Sequence, residues 1–121
     1  MAETGGGGVG ADRKLIGTLG ERFAAAVLFS EGWRILARNY RCRAGEIDLI
    51  AEREDGCICF AEVKTRMRRW TERPAEAVDR RKQQRIRRAA QWYLTENKVE
   101  QREIRFMVFE LTGQITESSF I

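Results

Sequence analysis

The segment from Gly45 to Arg66 constrains this chain more than any other, because it carries charge where a sheet ordinarily carries aliphatic side chains. Glu46, Ile47 and Asp48 are followed, fourteen residues after Asp48, by Glu62, Val63 and Lys64. Between the two groups lies Asp55-Gly56, a hairpin turn signal, so the flanking segments read as antiparallel strands. Loop length then decides which side chains share a face. A two-residue Asp55-Gly56 turn sets Asp48 opposite Val63 and Leu49 opposite Glu62, mixing acids with aliphatics on both faces. A three-residue loop, Glu54-Asp55-Gly56, with Gly56 left-handed in a bulge, sets Arg53 opposite Cys57 and Asp48 opposite Glu62. Glu46 then faces Lys64, and Ile50 faces Phe60. The other face collects Ile47, Leu49, Ala51, Cys59, Ala61 and Val63, all apolar. A sheet with one buried face selects this second register, since a one-residue slip exchanges the two faces.

The selected register gathers three carboxylates and one ammonium at one end of a hairpin face. Two carboxylates a strand spacing apart repel unless a cation sits between them or one takes up a proton. A hard divalent ion held by carboxylate oxygens, a backbone carbonyl and waters resolves the repulsion, and Mg²⁺ suits such sparse ligation. A lysine beside it can orient a water and offset the negative charge that develops in phosphoryl chemistry. The same spacing also fits a solvated strand face, on which a Glu46–Lys64 cross-strand pair contributes roughly 0.2–1 kcal/mol.

Beyond spacing, Asp48 with Glu62-x-Lys64 on the next strand resembles the PD-(D/E)XK nuclease superfamily. Five segments in order resemble one group within it more closely. They are Gly20-Glu21, Gly32-Trp33, Asn39-Tyr40, Gly45-Glu46-Ile47-Asp48-Leu49-Ile50 and Phe60-Ala61-Glu62-Val63-Lys64-Thr65-Arg66. These are similar to the YraN-like family of small bacterial proteins, predicted endonucleases that are themselves similar to Holliday-junction resolvases. The resemblance covers most of the chain after residue 12. It implies an α/β, restriction-endonuclease-like fold, a mixed β-sheet flanked by helices. It also implies that Asp48 and Glu62 bind Mg²⁺ or Mn²⁺, with the carbonyl of Val63 as a further ligand, and that Lys64 assists the attacking water. Resolvases place a helix glutamate near the metal, which gives Glu21 a site role; from the residues alone, helix capping or a solvated position serves it equally. Family members often carry an acid after the Phe106 position. Met107 stands there, so no catalytic role transfers to it.

Residues 1–11 are Gly-rich and read as a tail, leaving residues 12–121 as one domain. The Gly5–Gly8 run lacks the Lys-Ser/Thr ending and preceding strand of a phosphate loop. A helix is predicted from about Asp12 to Glu31, with Phe23 to Phe29 apolar nearly all round and therefore buried. Strands follow at Trp33–Arg41, Glu46–Arg53 and Cys57–Arg66. Pro74 opens a helix running to about Asn97, a favourable first-turn position for proline. Ile86, Ala89, Ala90, Tyr93 and Leu94 form its sheet-facing stripe. Extending the stripe backwards brings in Lys82, which either snorkels to the edge or reaches the acids or a DNA phosphate. Two further strands, Glu103–Leu111 and Gln114–Phe120, are predicted to turn at Thr112-Gly113.

Charge is unevenly spread. From Lys64 to Arg88 there are eleven lysines and arginines against Glu72, Glu76 and Asp79, a local net of +8 in a chain of net +4. Arginine dominates, which suits forked contacts to phosphate. Trp70 stands among them, able to stack on an unpaired base. A solubilising helix face would also explain a basic run, but this one is contiguous with the acidic constellation. Arg66, Arg68, Arg69 and Lys82 are therefore expected to hold phosphates of a nucleic acid, most directly DNA.

No apolar run reaches membrane-spanning length and no signal-peptide pattern opens the chain, so the expected compartment is the cytoplasm. With no histidine and three cysteines, of which Cys57 and Cys59 are two apart, neither a structural zinc site nor a histidine-based triad can be built. The expectation is a metal-dependent DNA endonuclease, non-specific or structure-selective, with Glu46 and Glu21 as secondary ligands and a homodimer as one arrangement. The rival is a non-catalytic nucleic-acid-binding module on a degenerate nuclease fold. A third reading is a protein-interaction domain whose arginines meet an acidic partner.

Overall fold

The hairpin loop has three residues. Gly56 adopts φ 92°, its N–H donates to Arg53 O, and Arg53 N–H donates to Cys57 O, both at 2.9 Å. Asp55 locks the tip by accepting from the Arg53 guanidinium and the Cys57 N–H at 3.0 Å. In this computed structural model the described residues are 8–69 and 79–115, with side chains at 13–66 and 79–113.

The order of elements is α1 (Gly8–Ser30), β1 (Trp33–Cys42), β2 (Gly45–Arg53), β3 (Ile58–Arg69), α2 (Arg80–Glu96) and β4 (Ile104–Ile115). They build an α/β fold around one four-stranded mixed sheet of order β1-β2-β3-β4. The first three strands are antiparallel neighbours. β4 runs parallel to β3, a pairing that needs a crossover, and α2 lies within that connection. The β2–β3 ladder pairs Leu49 with Ala61, Ile50 with Phe60 and Ala51 with Cys59, which is the three-residue-loop register.

Each face of the sheet carries one helix. On one side Ala24, Ala25 and Leu28 of α1 pack with Leu49, Ala51, Cys59 and Ala61. On the other, Ile86, Ala89 and Ala90 of α2 pack with Ile50, Ile58 and Phe60, and the Tyr93 ring meets Tyr40 and Phe60 edge-on. The stripe predicted for α2 is the stripe that is buried.

The structure corrects several expectations. Ile47 sits in the α2-side cluster, not with Leu49. β1 carries a register irregularity between Ile35 and Ala37, and Asn39, between the rungs Arg38–Leu49 and Tyr40–Ile47, has φ 51°. A bulge and a left-handed residue coil the β1–β2 pair, and strict alternation fails across Asp48. α1 begins at Gly8 rather than Asp12. It is not buried all round: Phe23 and Phe29 are 59% and 75% exposed, because a helix on one face of a sheet covers only one stripe of itself. α2 begins at Arg80, with Asp79 in extended conformation accepting from the Lys82 N–H at 2.8 Å as N-cap. An aspartate is better placed as a cap than inside a helix, so no continuous helix runs from position 74; Pro74, Trp70 and Arg73 lie outside the described residues. β4 continues through Thr112-Gly113, which pair with Arg66 and Met67. The long parallel partner overrides a turn-like dipeptide.

One close approach fixes α1 on the sheet. A Cβ added at Gly20 would overlap Oγ1 of Thr65 and crowd its Cβ and Cγ2. Gly20→Ala should gain about 1 kcal/mol of helix propensity and lose more to overpacking, typically about 1–3 kcal/mol. We expect a net lower urea midpoint, with most of the loss recovered in Gly20→Ala/Thr65→Ala. An undiminished single variant would mean that α1 shifts freely on the sheet.

Candidate active site

The ladder between β2 and β3 ends at Leu49–Ala61, and a side chain takes over where it stops. Asp48 Oδ2 accepts from the Val63 N–H at 2.7 Å. This bond replaces a backbone rung, so the carboxylate is fixed by the strand that carries Glu62. Glu62 is itself buried, at 7% exposure the one charged residue of the core among the described residues. Its Oε2 meets Lys82 Nζ of α2 at 2.5 Å.

Electrostatics identify this edge as crowded with negative charge. The Asp48 carboxyl is pushed up to about 7. Burial is the main cause; the Val63 N–H pulls the other way, and the nearby charges of Glu62 and then Glu21 push up again. Glu21 acts from α1, on the opposite face of the sheet from Lys82 on α2. Its position follows from the Gly20–Thr65 approach, which brings this turn of α1 down onto the end of β3.

A cleft of about 500 Å³ opens over Asp48 and Glu62, lined also by Glu46, Arg41, Lys82 and Arg85. Glu46 faces Arg41 across β1–β2, with an ion pair of 3.5 Å. The ladder ends before the level at which Glu46 was expected to meet Lys64. Lys64 is half-buried on β3, its parallel partner on β4 being Glu110; strand alternation puts it on the Glu62 face, one position beyond the cleft lining. Arg66 is exposed farther along β3, paired with Thr112. Arg68 and Arg69 extend the same strand, and their side chains lie outside the described residues.

The structure thus brings together Asp48, Glu62, Val63, Glu46 and Lys82, with Glu21 close enough to be felt by Asp48, and leaves Lys64 and Arg66 in line beyond them. It adds Arg41 and Arg85. Arg85 is three residues after Lys82, hence on the same helical side, and its backbone lies 3.6 Å from where a Cβ on Gly45 would be. That spacing was available in the sequence as the signal for it. Arg41 could have been placed from its position opposite Glu46.

The donor set tests whether a cation fits. Two carboxylates, one of them with its pKa raised to about 7 first by burial and then by the charges of Glu62 and Glu21, form a pair that a bound cation would stabilise. Among the described residues no three acid, thiol or imidazole side chains converge as a metal cluster. The residues therefore fit only a hard ion that keeps several waters, the behaviour of Mg²⁺.

A family model described as "Uncharacterised protein family UPF0102" matches residues 20–111. The chain is similar to UPF0102 proteins of Trichlorobacter lovleyi, 41% identical over 88% of this chain and 84% of the relative, and of Dictyoglomus thermophilum, 43% identical over 91% and 96%. A third, from Symbiobacterium thermophilum, is 47% identical over 79% and 80%. Among solved structures it is similar to a repair endonuclease from Pyrococcus abyssi, with TM-score 0.41 and 16% identity over 92% of this chain and 41% of that one. It is also similar to an EndoMS–dsDNA complex, with TM-score 0.38 and 15% identity over 82% and 45%. This chain spans less than half of either solved chain. Among the described residues no helix is long and apolar enough to cross a membrane.

Proposed function

The chain belongs to the UPF0102 family, the group its sequence motifs resemble, and from that premise we propose that it hydrolyses phosphodiester bonds in DNA with a divalent cation, Mg²⁺ or Mn²⁺. The observation that carries this reading is the convergence of Asp48 and Glu62 at the end of a broken ladder, beneath a cleft walled by Arg41, Lys82 and Arg85. A purely structural sheet edge has little use for Asp48 beside a buried glutamate: Glu62 is paired with Lys82, whereas Asp48 sets one Val63 N–H bond against burial and the charge of Glu62.

Asp48, Glu62 and the Val63 carbonyl would hold the ion, which when bound polarises phosphate and lowers the pKa of water. The Val63 N–H holds Asp48 in one orientation, so little reorganisation remains at the moment of reaction. Lys64, on the Glu62 face, orients the attacking water and offsets charge developing on the phosphoryl oxygens. Glu46 and Glu21 tune the charge of the edge, Glu46 from the cleft wall and Glu21 from beneath. Arg41 and Arg85 meet the phosphate entering the cleft, and Arg66, Arg68 and Arg69 extend the grip along β3. The reading takes residues 12–121 as one domain, the cytoplasm as compartment and a homodimer as the arrangement resolvase-like proteins adopt.

A second reading, a non-catalytic nucleic-acid-binding module, is favoured by one observation: Lys82 already neutralises Glu62. Incubating the protein with branched, nicked and linear DNA, each with Mg²⁺, with Mn²⁺ and with chelator, separates the two. Cation-dependent strand scission is expected. Binding that weakens steeply with salt but never leads to scission in any combination would establish the module.

A further inference from the structure

We infer that Lys82 is an exchangeable counter-ion: it neutralises Glu62 while the site is empty, and turns to a nucleic-acid phosphate once a divalent cation has taken the carboxylate. This rests on the cation-binding reading of Asp48 and Glu62. Glu62 is nearly closed off from solvent, so its charge needs a partner inside the cleft, and Lys82 Nζ supplies it on Oε2 at 2.5 Å. Glu62 and Lys82 both line the cleft that a cation would enter. An ammonium and a divalent ion on one carboxylate repel each other, so one must leave.

Lys82 is built to leave. Its backbone is pinned, because its N–H is the one Asp79 accepts as helix N-cap. Its side chain is 48% exposed, against 9% for Glu62. A long, flexible side chain on a fixed pivot at a cleft mouth can swing without disturbing the helix. The cleft offers Arg41 and Arg85 as neighbours along the path a phosphate would follow. A released Lys82 therefore adds a third cation to that wall. Cation and phosphate backbone then promote each other's binding, and linkage makes the effect reciprocal. In their absence the cleft is self-neutralised.

The test is calorimetric titration of Mn²⁺ into the Lys64→Ala protein, in which cleavage is slowed, and into the same protein carrying Lys82→Met, each with and without a short DNA duplex. Without DNA, Lys82→Met should bind Mn²⁺ about 2- to 5-fold more tightly, the scale of a half-exposed ion pair removed. With duplex present, Mn²⁺ affinity should rise further in the Lys82 protein than in Lys82→Met. Lys82→Arg, whose forked guanidinium grips a carboxylate harder, should bind Mn²⁺ more weakly than wild type at position 82 and guards against a folding artefact of the methionine. Equal or weaker Mn²⁺ binding by Lys82→Met, or the same duplex enhancement in both proteins, overturns the exchange. Glu62→Gln distinguishes the two failures. If Mn²⁺ binding is lost in Glu62→Gln yet indifferent to Lys82, the exchange falls and the cation site stands. If Glu62→Gln binds as wild type does, both fall.

Discussion

Lys64→Ala should lower DNA cleavage by about 10²- to 10³-fold, the scale of removing one positioned group that stabilises transition-state charge. Its dissociation constant for the same DNA should change by less than about tenfold, since it removes at most one of many phosphate contacts. Glu62→Gln should lose cleavage at least as fully, because the carboxylate oxygens that would hold the ion become a neutral amide. The two variants differ in a second readout. Raising the Mn²⁺ concentration should restore part of the activity in neither Lys64→Ala, where ion binding is intact, nor Glu62→Gln, where a ligand is gone; only Glu62→Gln should lose the melting-temperature rise that bound cation gives. Full cleavage by Lys64→Ala would remove the lysine from the chemistry and shift attention to Lys82 and Arg85.

The second large effect is on stability, and its sign is opposite to that of most point substitutions. Asp48 has a folded-state pKa of about 7 against an ordinary value of 3.8. The native protein therefore binds the extra proton between those values, and stability falls as pH rises through that window. Above it, the ionised Asp48 is a standing cost caused first by burial and then by Glu62 and Glu21. Asp48→Asn keeps an oxygen for the Val63 N–H and removes the charge. In chelator, at pH 8, the variant should be more stable than wild type by about 1–3 kcal/mol after allowance for partial exposure. The advantage should shrink below pH 7 and vanish near pH 4. Urea denaturation at four pH values measures it. An Asp48→Asn protein no more stable than wild type at pH 8 would mean that the carboxylate is well solvated or already paired. Mn²⁺ should reverse the order by stabilising the wild type alone.

The hairpin register was legible because it is over-determined. Gly56 suits a left-handed bulge, and only one register keeps Leu49, Ala51, Cys59 and Ala61 together under α1. The α2 stripe was legible for a similar reason, since Ile86, Ala89 and Ala90 leave no other face to bury. Ile47 was misplaced because the twist that moves it originates in β1, at Asn39, a residue that looks like any polar strand position until its φ is known. Thr112-Gly113 reads as a turn locally, and only the length of β3 beside it explains why it is strand. At the site, the pairing of Asp48 with Glu62 followed from register. The ion pair between Glu62 and Lys82 depends on how far α2 slides along the sheet, which no spacing within a single element encodes. Arg41 and Arg85 were readable as neighbours of residues already singled out, and were passed over because arginines are so numerous nearby.

The parallel pairing of β3 with β4 has a consequence for how the chain is made. The stretch Cys57-Ile58-Cys59-Phe60-Ala61 carries no charge and ends up wholly buried. During synthesis β2 can cover one edge of it at once, because a three-residue loop joins them. Its other edge must wait for β4, which emerges only after the whole of α2. For that interval a central strand of the finished sheet is an open edge, and an uncharged apolar run around Ile58 and Phe60 is a template for a second nascent chain. Glu54 and Asp55 stand just before the stretch and Glu62 directly after it, with Arg53, Lys64 and Arg66 farther out, so two copies aligned parallel and in register set each charge against its like. The charges at this edge, acids included, thus act against misassembly before there is a cleft for them to line.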